Sequence, residues 1–356
     1  MIFKAKDLNF LDLYSVCVDQ KSIIGKNFQI ERIDDNIVRF SQVTDNVVLF
    51  TDLDTKTENN FSYNYPTSSI VQFLKTCQED EKIELLNNGL KLNKAEYNFE
   101  SIEYNLSSMK DTFNAIKNNF INNSKVKIVD LEKINNIKNY IGIEKGLDVV
   151  ALINNHFVAS NRYDATACIK TINNSSNFYL SKLCSQLLSS FKIKEVEFLL
   201  EEDKIIFKIG STFVIIPKQE YIIPDIFTEE FKGYYNFSTK SIVKKVDLLF
   251  ALNRINIISR ENINSRIFFT FKENKIIIES KDKGYAVEEV EAIVDKELVD
   301  HYIILSSNYL INSATLINTE NLVIKVFPDK DSNVISIFPQ GHEDMFVIQN
   351  ILEYID

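Results

Sequence analysis

The chain is poor in the residues that most enzymes use for chemistry. Its 356 residues include eight Gly, five Pro, four Cys, three His, three Met and no Trp. Scarce glycine argues against phosphate-cradling loops. Neither GxxxxGK[ST] nor GxGxxG occurs, and the nearest candidate, Gly142-Ile143-Glu144-Lys145-Gly146, has the wrong spacing and no Ser or Thr after it. Nucleotide hydrolysis is therefore not supported. With only three histidines, zinc sites and metalloprotease motifs are not expected. Cys17, Cys77, Cys168 and Cys184 are widely scattered with no CxxC pair, and they read as buried thiols. No apolar run approaches the roughly 18–20 residues that span a bilayer. The N-terminal MIFKAKDLNFLDLY has acids inside its apolar part and no small-residue cleavage site, so no secretory signal is expected. The expectation is a soluble protein that stays where it is made.

What is present is ordinary globular material, 45% hydrophobic and 25% charged, which excludes wholesale disorder. At roughly 100–200 residues per domain the length suggests two or three domains. Abundant Asn, Ile and Lys point to an AT-rich genome and carry no chemical information. Apolar spacing marks the helices. From Phe178 to Lys192, Leu180, Leu183, Cys184, Leu187, Leu188 and Phe191 fall at i, i+3, i+4, i+7, i+8 and i+11, which is one face of a 3.6-residue period. Ser238 to about Asn256 reads as a second helix, with Ile242, Val243, Val246, Leu249 and Phe250 on one face. Phe10, Leu11, Tyr14, Cys17 and Val18 mark a third. Weaker helices are expected at Pro66–Gln78, Asp130–Tyr140 and Ser307–Asn318. The first of these has Pro in its opening turn, where it is tolerated.

Between the helices the period drops to two. VEFLLEEDKIIFKIGSTFVIIP reads as a meander turning at Glu202-Asp203, and RIFFTFKENKIIIES as a hairpin turning at Glu273-Asn274. KIELLNNGLKLNK turns at Asn87-Asn88-Gly89 and DVVALINNHFVAS at Asn154-Asn155, residues that tolerate the positive φ of tight hairpins. Helix starts near residues 7, 66, 130, 177, 238 and 307 define six similar units, each with one helix and then about three strands. Paired, they make three domains, residues 1–122, 123–232 and 233–356. Linkers are expected around Lys117–Lys125 and Phe231–Asn236.

Charge is unevenly placed. Forty Lys+Arg against fifty Asp+Glu give a net charge of −10, which argues against an ordinary DNA-coating protein. Yet Pro66–Gln78, Ser176–Lys194 and Ser306–Thr319 contain no acid, and the stretch from Ser238 carries Lys240, Lys244, Lys245 and Arg254 against Asp247 alone. Chance in Ser/Asn-rich segments is the bland explanation. The functional one is a set of helix faces cleared of acids to meet a polyanion, on a body that encloses nucleic acid without gripping it. Asp7, Asp12, Asp19, Asp130 and Glu132, near the first and third helices, fit this less well.

Several stretches, in order, resemble the bacterial-type DNA polymerase sliding clamp, the β subunit family. FVIIPKQEYIIPDI resembles the end of that family's middle domain, with Pro224-Asp225 closing it. STKSIVKKVDLLFALNRINIIS resembles the first helix of its third domain. RIFFTFKENKIIIESKDKGYAVEEVEA resembles a strand pair and an acidic strand, SSNYLINSATLINTENLVIKVF the segment opening the last helix, and SIIGKNFQI the strand after the first helix. The resemblance is strongest over about residues 145–356.

The resemblance implies an α+β fold with three repeated clamp domains, each with two helices packed on antiparallel sheets. It also implies a homodimeric ring closed head to tail around double-stranded DNA, twelve helices lining the hole. No enzyme activity, cofactor, metal or membrane is implied. The partners implied are a replicative DNA polymerase and a clamp loader, in a bacterial or infected-host cytoplasm. DNA-facing residues would be Lys75, Lys138, Lys182, Lys192, Lys240, Lys244 and Arg254. The family's partner-peptide pocket, between the second and third domains, maps onto Leu147, Ser160, Tyr163, Ala165, Pro224, Thr228, Phe346 and Ile348. Subunit contacts would join Tyr97 and Phe99 to Ile257 and Ile258, residues that could equally be intradomain core.

The chain also departs from the family. It has Ser160-Asn161-Arg162-Tyr163-Asp164-Ala165 where Thr-Asp-Gly-His-Arg-Leu is usual, and Ile348-Gln349-Asn350 replaces a Met-Pro-Met-like ending. Such divergence suits a phage or another fast-evolving replicon. The competing reading is a β-rich structural or virion assembly protein, which would not need helices cleared of acids. The acid-rich GYAVEEVEAIVDKELVD reads as a solvated strand face, not a metal site.

Overall fold

The computed structural model describes residues 1–19, 21–22, 24–57, 60–100, 104–142, 148–161, 165–171, 176–190, 194–219, 232–259, 265–281, 284–326 and 334–352. Along the chain a β-α-β-β-β unit recurs six times. The first unit is β1 (Ile2–Lys4), α1 (Leu11–Val16), β2 (Asn27–Arg32), β3 (Ile37–Val43) and β4 (Val48–Asp54). The second is β5 (Ser62–Pro66), α2 (Thr67–Leu74), β6 (Lys82–Leu86), β7 (Gly89–Leu92) and β8 (Ala95–Asn98). One helix outside the repeat, α3 (Lys110–Asn122), precedes the third unit. That unit is β9 (Lys127–Asp130), α4 (Leu131–Ile137), β10 (Val149–Ile153), β11 (His156–Ser160) and β12 (Ala165–Lys170). The fourth is β13 (Phe178–Ser181), α5 (Lys182–Ser190), β14 (Glu195–Leu200), β15 (Lys204–Ile209) and β16 (Thr212–Pro217). The fifth is β17 (Lys240–Lys244), α6 (Lys245–Ser259), β18 (Arg266–Lys272), β19 (Lys275–Ser280) and β20 (Ala286–Val294). The sixth is β21 (Tyr302–Ser306), α7 (Ser307–Leu316), β22 (Asn321–Val326), β23 (Val334–Pro339) and β24 (Met345–Asn350).

Units work in pairs by exchanging first strands. β1 lies on β6 and β5 on β2; β9 on β14 and β13 on β10; β17 on β22 and β21 on β18, all antiparallel. The chain forms two compact bodies, Met1–Asn135 with Leu183–Gln219, and Asn136–Lys182 with Glu220–Asp356. The first holds a four-stranded sheet, β1-β6-β7-β8, and an eight-stranded one, β5-β2-β3-β4-β16-β15-β14-β9. The second holds a twelve-stranded sheet running β13-β10-β11-β12-β24-β23-β22-β17-β20-β19-β18-β21. Each body therefore contains a seam where the last strands of two distant units pair. Thr51 to Val48 face Thr212 to Ile215 in one, and Ala165 to Ile169 face Gln349 to Met345 in the other.

Local sequence explains the elements. Asn154 and Asn155 take positive φ, 47° and 65°, as a two-residue hairpin turn demands. On α6, Leu248, Ala251, Leu252 and Ile255 are buried against Phe269, Phe271, Ile276 and Ile278 of the adjoining strands. Hydroxyls at the first seam are paired: Tyr14 Oη is 3.0 Å from both the Phe40 carbonyl and Thr51 Oγ1, and Thr51 Oγ1 is 2.8 Å from Thr212 Oγ1 across the strands.

Three expectations need correction. Residues 178–181 form β13, and the helix begins at Lys182. Residues 240–244 form β17, and the helix begins at Lys245. In both cases a strand leads directly into a helix, so its apolar residues extend the helical pattern backwards. The Asn-rich stretch expected as a linker, 117–125, instead lies largely within α3. Its apolar Phe113, Ile116 and Phe120 pack on Phe50, Leu199, Ile206 and Phe213.

α3 is also held by charge. Arg39, 1% exposed, makes a two-pronged ion pair with Asp52, Nε to Oδ1 at 2.7 Å and an Nη to Oδ2 at 3.0 Å. It also donates to Asn114 Oδ1 of α3 at 2.9 Å, and its guanidinium lies 4.9 Å from the Phe50 ring. Lys117 Nζ of α3 donates to Asp52 Oδ2 at 2.6 Å. Burial alone would push the Asp52 carboxyl up, but the Arg39 and Lys117 cations outweigh it and hold it below the usual carboxylate range. Because the folded pKa is depressed, this stabilisation is present above the unfolded value of about 4 and is lost as pH falls through the folded one. Asp52→Asn should cost about 3 kcal/mol at pH 6, leaving Arg39 buried without its counter-ion. In urea melts the gap from the native chain should shrink steadily below about pH 4.

Candidate functional surfaces

Helix exposure bears directly on the charge pattern. The outward residues of α2 are Ser68, Ser69 and Gln72, those of α5 are Lys182, Leu183 and Gln186, and those of α7 are Asn308, Asn312 and Thr315. None is an acid. α1 exposes Asp12, α4 exposes Glu132, and α6 exposes Asp247 beside Val246, Phe250, Asn253, Arg254 and Ile257. Lys75, capping α2, lies 3.7 Å from Asp12, an exposed pair that contributes little. Lys138, in the 3₁₀ turn after α4, and Lys182, opening α5, are exposed.

The other expected cations are placed differently. On β17, Ser241 and Val243 are buried, with Val243 in the core beneath α6 and α7. Strand alternation therefore puts Lys240 and Lys244 on the sheet face opposite those helices. Arg254 is engaged by Glu288 of β20 through bonds of 2.7 and 2.6 Å, and this partner raises the guanidinium pKa while lowering that of the carboxyl. Lys192 lies outside the described residues.

Of the residues expected in a peptide pocket, Ser160, Phe346 and Ile348 share one sheet face. Register places Ser160 beside Thr166, and Thr166 beside Ile348. Ser160 Oγ is 2.7 Å from Thr166 Oγ1. Phe346 shares that outer face, the one away from α7, with Ile348. Ala165 sits one residue out of phase, on the opposite face, and its N–H donates to Asn161 Oδ1 at 2.8 Å. Leu147, Tyr163, Pro224 and Thr228 lie outside the described residues. Phe346 is nearly buried, because Tyr235 stacks on it at 4.8 Å and 12°, and Phe338 stacks at 5.4 Å. The segment carrying Tyr235 is fixed by a hydrogen bond from Ser336 Oγ to the Tyr235 carbonyl and one from Lys325 Nζ to Asn236 Oδ1. Tyr235, Phe338 and the Asn161–Tyr309 hydrogen bond at 3.0 Å were not identified from sequence. The one available signal was the Tyr234-Tyr235 pair in a segment expected to be a linker.

Of the expected subunit contacts, Tyr97 lies on a strand at a sheet edge, and Ile257 and Ile258 lie at the end of α6. β8 pairs with β7 on one side, and among the described residues no strand covers its other edge. Tyr97 of β8 is 41% exposed and rests on Phe73 of α2 at 4.8 Å, and Phe99 is half-buried. Gly89 opposite β8 has to be glycine, since a Cβ would strike the Tyr97 carbonyl. On β20, residues 286–291 pair with β19 and only 292–294 with β17, so the edge of 286–291 away from β19 is open among the described residues. Ile257 at the end of α6 is 59% exposed. Ile258 is half-buried near Gly284, where a Cβ would come within 2.7 Å of its methyl.

His156 Nδ1 is 2.8 Å from the Asn154 carbonyl, and burial pushes its imidazole pKa down. Among the described residues no three His, Cys, Asp or Glu side chains cluster as metal ligands, and no helix is long and apolar enough to cross a membrane. The acids of β20 divide between its faces: Glu288 meets Arg254, and Glu289 meets Lys275 at 2.7 Å.

No family model and no curated protein sequence matches the chain. Solved structures do. The DNA polymerase III β subunit of Thermotoga maritima superimposes with a TM-score of 0.80 at 16% identity, covering 99% of both chains. The chain has the fold of a DNA polymerase III β sliding clamp. The Pseudomonas aeruginosa sliding clamp gives 0.79 at 13% identity, with 99% of each chain covered. The Borrelia burgdorferi β subunit gives 0.78 at 14%, covering 99% of this chain and 98% of that one. The clamp fold therefore runs the whole length of this sequence, although hardly one residue in six is shared.

The Tyr235 ring closes the outer face of the β12–β24 seam. Tyr235→Ala should lower stability by about 3 kcal/mol and open Phe346 to solvent. Urea unfolding would give the first, and faster amide exchange in β24 the second.

Proposed function

We propose that the chain is a processivity factor: a ring of two copies that encircles duplex DNA and tethers a polymerase by topology. The observation that carries this reading is the fate of the strands that end each unit. Those of the first and fourth units pair with each other, as do those of the third and sixth. Among the described residues, the strands that end the second and fifth units, β8 and residues 286–291 of β20, keep an open edge. Pairing β8 of one copy with residues 286–291 of β20 in another continues the same rule. It satisfies two exposed strand edges and closes a head-to-tail ring after two copies. In this reading the domains are residues 1–122, 123–232 and 233–356, each a pair of units that exchange first strands. The ring carries twelve repeat helices. Tyr97 and Phe99 on one copy meet Ile257 and Ile258 on the next.

The acid-free faces of α2, α5 and α7 would then line the hole, with Lys75, Lys138, Lys182 and Lys192 as its cations. A net charge of −10 keeps binding from becoming a static grip. No bond is made or broken, and no metal or cofactor is required. The outer face of the β12–β24 seam, with Ser160, Phe346 and Ile348, would take short peptides from the polymerase and the clamp loader, in the cytoplasm of a bacterium or an infected host. Lys240 and Lys244 lie off the helix faces, and Arg254, though on α6, is held by Glu288, so none of the three is assigned a DNA contact.

Light scattering should give a mass of twice 41.2 kDa. Ile257→Asp should yield monomers with unchanged far-ultraviolet dichroism, whereas a native monomer would refute the ring. Charge reversal at Lys138 and Lys182 together should shorten retention on circular DNA several-fold. Reversal at Lys240 and Lys244 should leave it unaltered, and equal effects of the two pairs would contradict the assignment of the hole.

A further inference from the structure

α6 is apolar on two opposite sides. Leu248, Ala251, Leu252 and Ile255 are buried in the core beneath it, while Val246, Phe250 and Ile257 are 47%, 60% and 59% exposed. At 100° per residue these three fall within about 40° of one another, a single stripe. Among the described residues no other repeat helix has one: α1 and α5 expose one large apolar residue each, Val16 and Leu183, and α2, α4 and α7 none. One flank of α6 is taken by α7, where Ser259 Oγ is 3.0 Å from Ser307 Oγ and Asn256 donates to Asn308 Oδ1 at 3.2 Å. The other flank carries Arg254, which reaches Glu288 on the open stretch of β20. Phe250 stands four residues before Arg254, one turn along the same side, so the stripe turns towards that open edge.

α2 is disposed in the same way beside β8. Its Lys75 faces α1 through Asp12, and its opposite flank carries the half-buried Phe73, which rests on Tyr97 of β8. Each open strand edge therefore has an aromatic side chain of a neighbouring helix turned towards it. Where end strands already pair, helical segments meet as well: beside the β12–β24 seam Tyr140 Oη, following α4, is 3.3 Å from Ser313 Oγ of α7.

We propose that α2 of a second copy packs on the Val246–Phe250–Ile257 stripe of α6, bringing Phe73 towards Phe250. The inference rests on the ring reading and adds the surface that holds the ring shut. Adding β8 to the edge of β20 carries α2 alongside α6, because Phe73 rides on Tyr97. A stable pair of proteins buries roughly 800 Å² on each partner, more than six residues of strand edge provide, and aromatic side chains are the largest contributors to such a surface. DNA is a poor occupant for the stripe: phosphates seek cations, and Arg254 beside it is already held by Glu288.

Light scattering over a dilution series should show Phe250→Asp raising the dimer dissociation constant by about tenfold or more, with far-ultraviolet dichroism unchanged. Ile293→Asp removes a residue at least as exposed, on the sheet face away from α6, and should leave the constant unaltered. Ser69 of α2 and Asn253 of α6 are both exposed. In a Cys77→Ser background, Ser69→Cys combined with Asn253→Cys should yield a covalent dimer with a short bismaleimide, and neither substitution alone should. A Phe250→Asp dimer as tight as the native one, or no crosslink in a double variant that still dimerises, would overturn the inference and leave the ring standing. A monomeric native chain would overturn both.

Discussion

An unpaired strand edge is a row of backbone N–H and C=O groups in need of partners, and the architecture of this chain follows from how those partners are found. No β-α-β-β-β unit satisfies its own first strand, so units exchange them in pairs. The strands that end four of the units then join across distant parts of the chain, β4 with β16 and β12 with β24. Of the strands that end units, that leaves β8 of the second and most of β20 of the fifth with one edge unpaired among the described residues. In the proposed ring a second copy satisfies both.

The seams depend on what covers their outer faces. A sheet with helices on one side still presents apolar residues on the other where strands from different units meet. α3 covers one such face with phenylalanine rings and fastens itself through the buried Arg39–Asp52–Lys117 cluster. Tyr235 partly covers the other. The first cover is locked by charge, and the second leaves a cavity beside it.

Much of this was legible in the sequence. The hairpins at Asn154-Asn155, Glu202-Asp203 and Glu273-Asn274 fall where their turn residues indicated, because such turns are specified locally. The six-unit repeat was visible from helix spacing, and the clamp fold from collinear stretches. The strands preceding the helices were not visible. A four- or five-residue strand such as Phe178–Ser181 or Lys240–Lys244 runs into its helix without a breaking residue, and its apolar members fit either period. That ambiguity misplaced Lys240 and Lys244, whose direction depends on strand alternation. α3 was hidden because its apolar stripe is thin among Asn and Lys, and its anchors, Arg39 and Asp52, lie far away in sequence. The Tyr235–Phe346 stack joins residues more than a hundred positions apart, and no local pattern announces it.

The central claim is topological linkage to DNA, and retention on a nicked circular plasmid before and after linearisation tests it most directly. With its cognate loader, the protein should stay on the closed circle through a high-salt wash and be lost when a single cut provides free ends. Retention that is equal on circle and line, or absent from both once the loader has acted, would contradict the account.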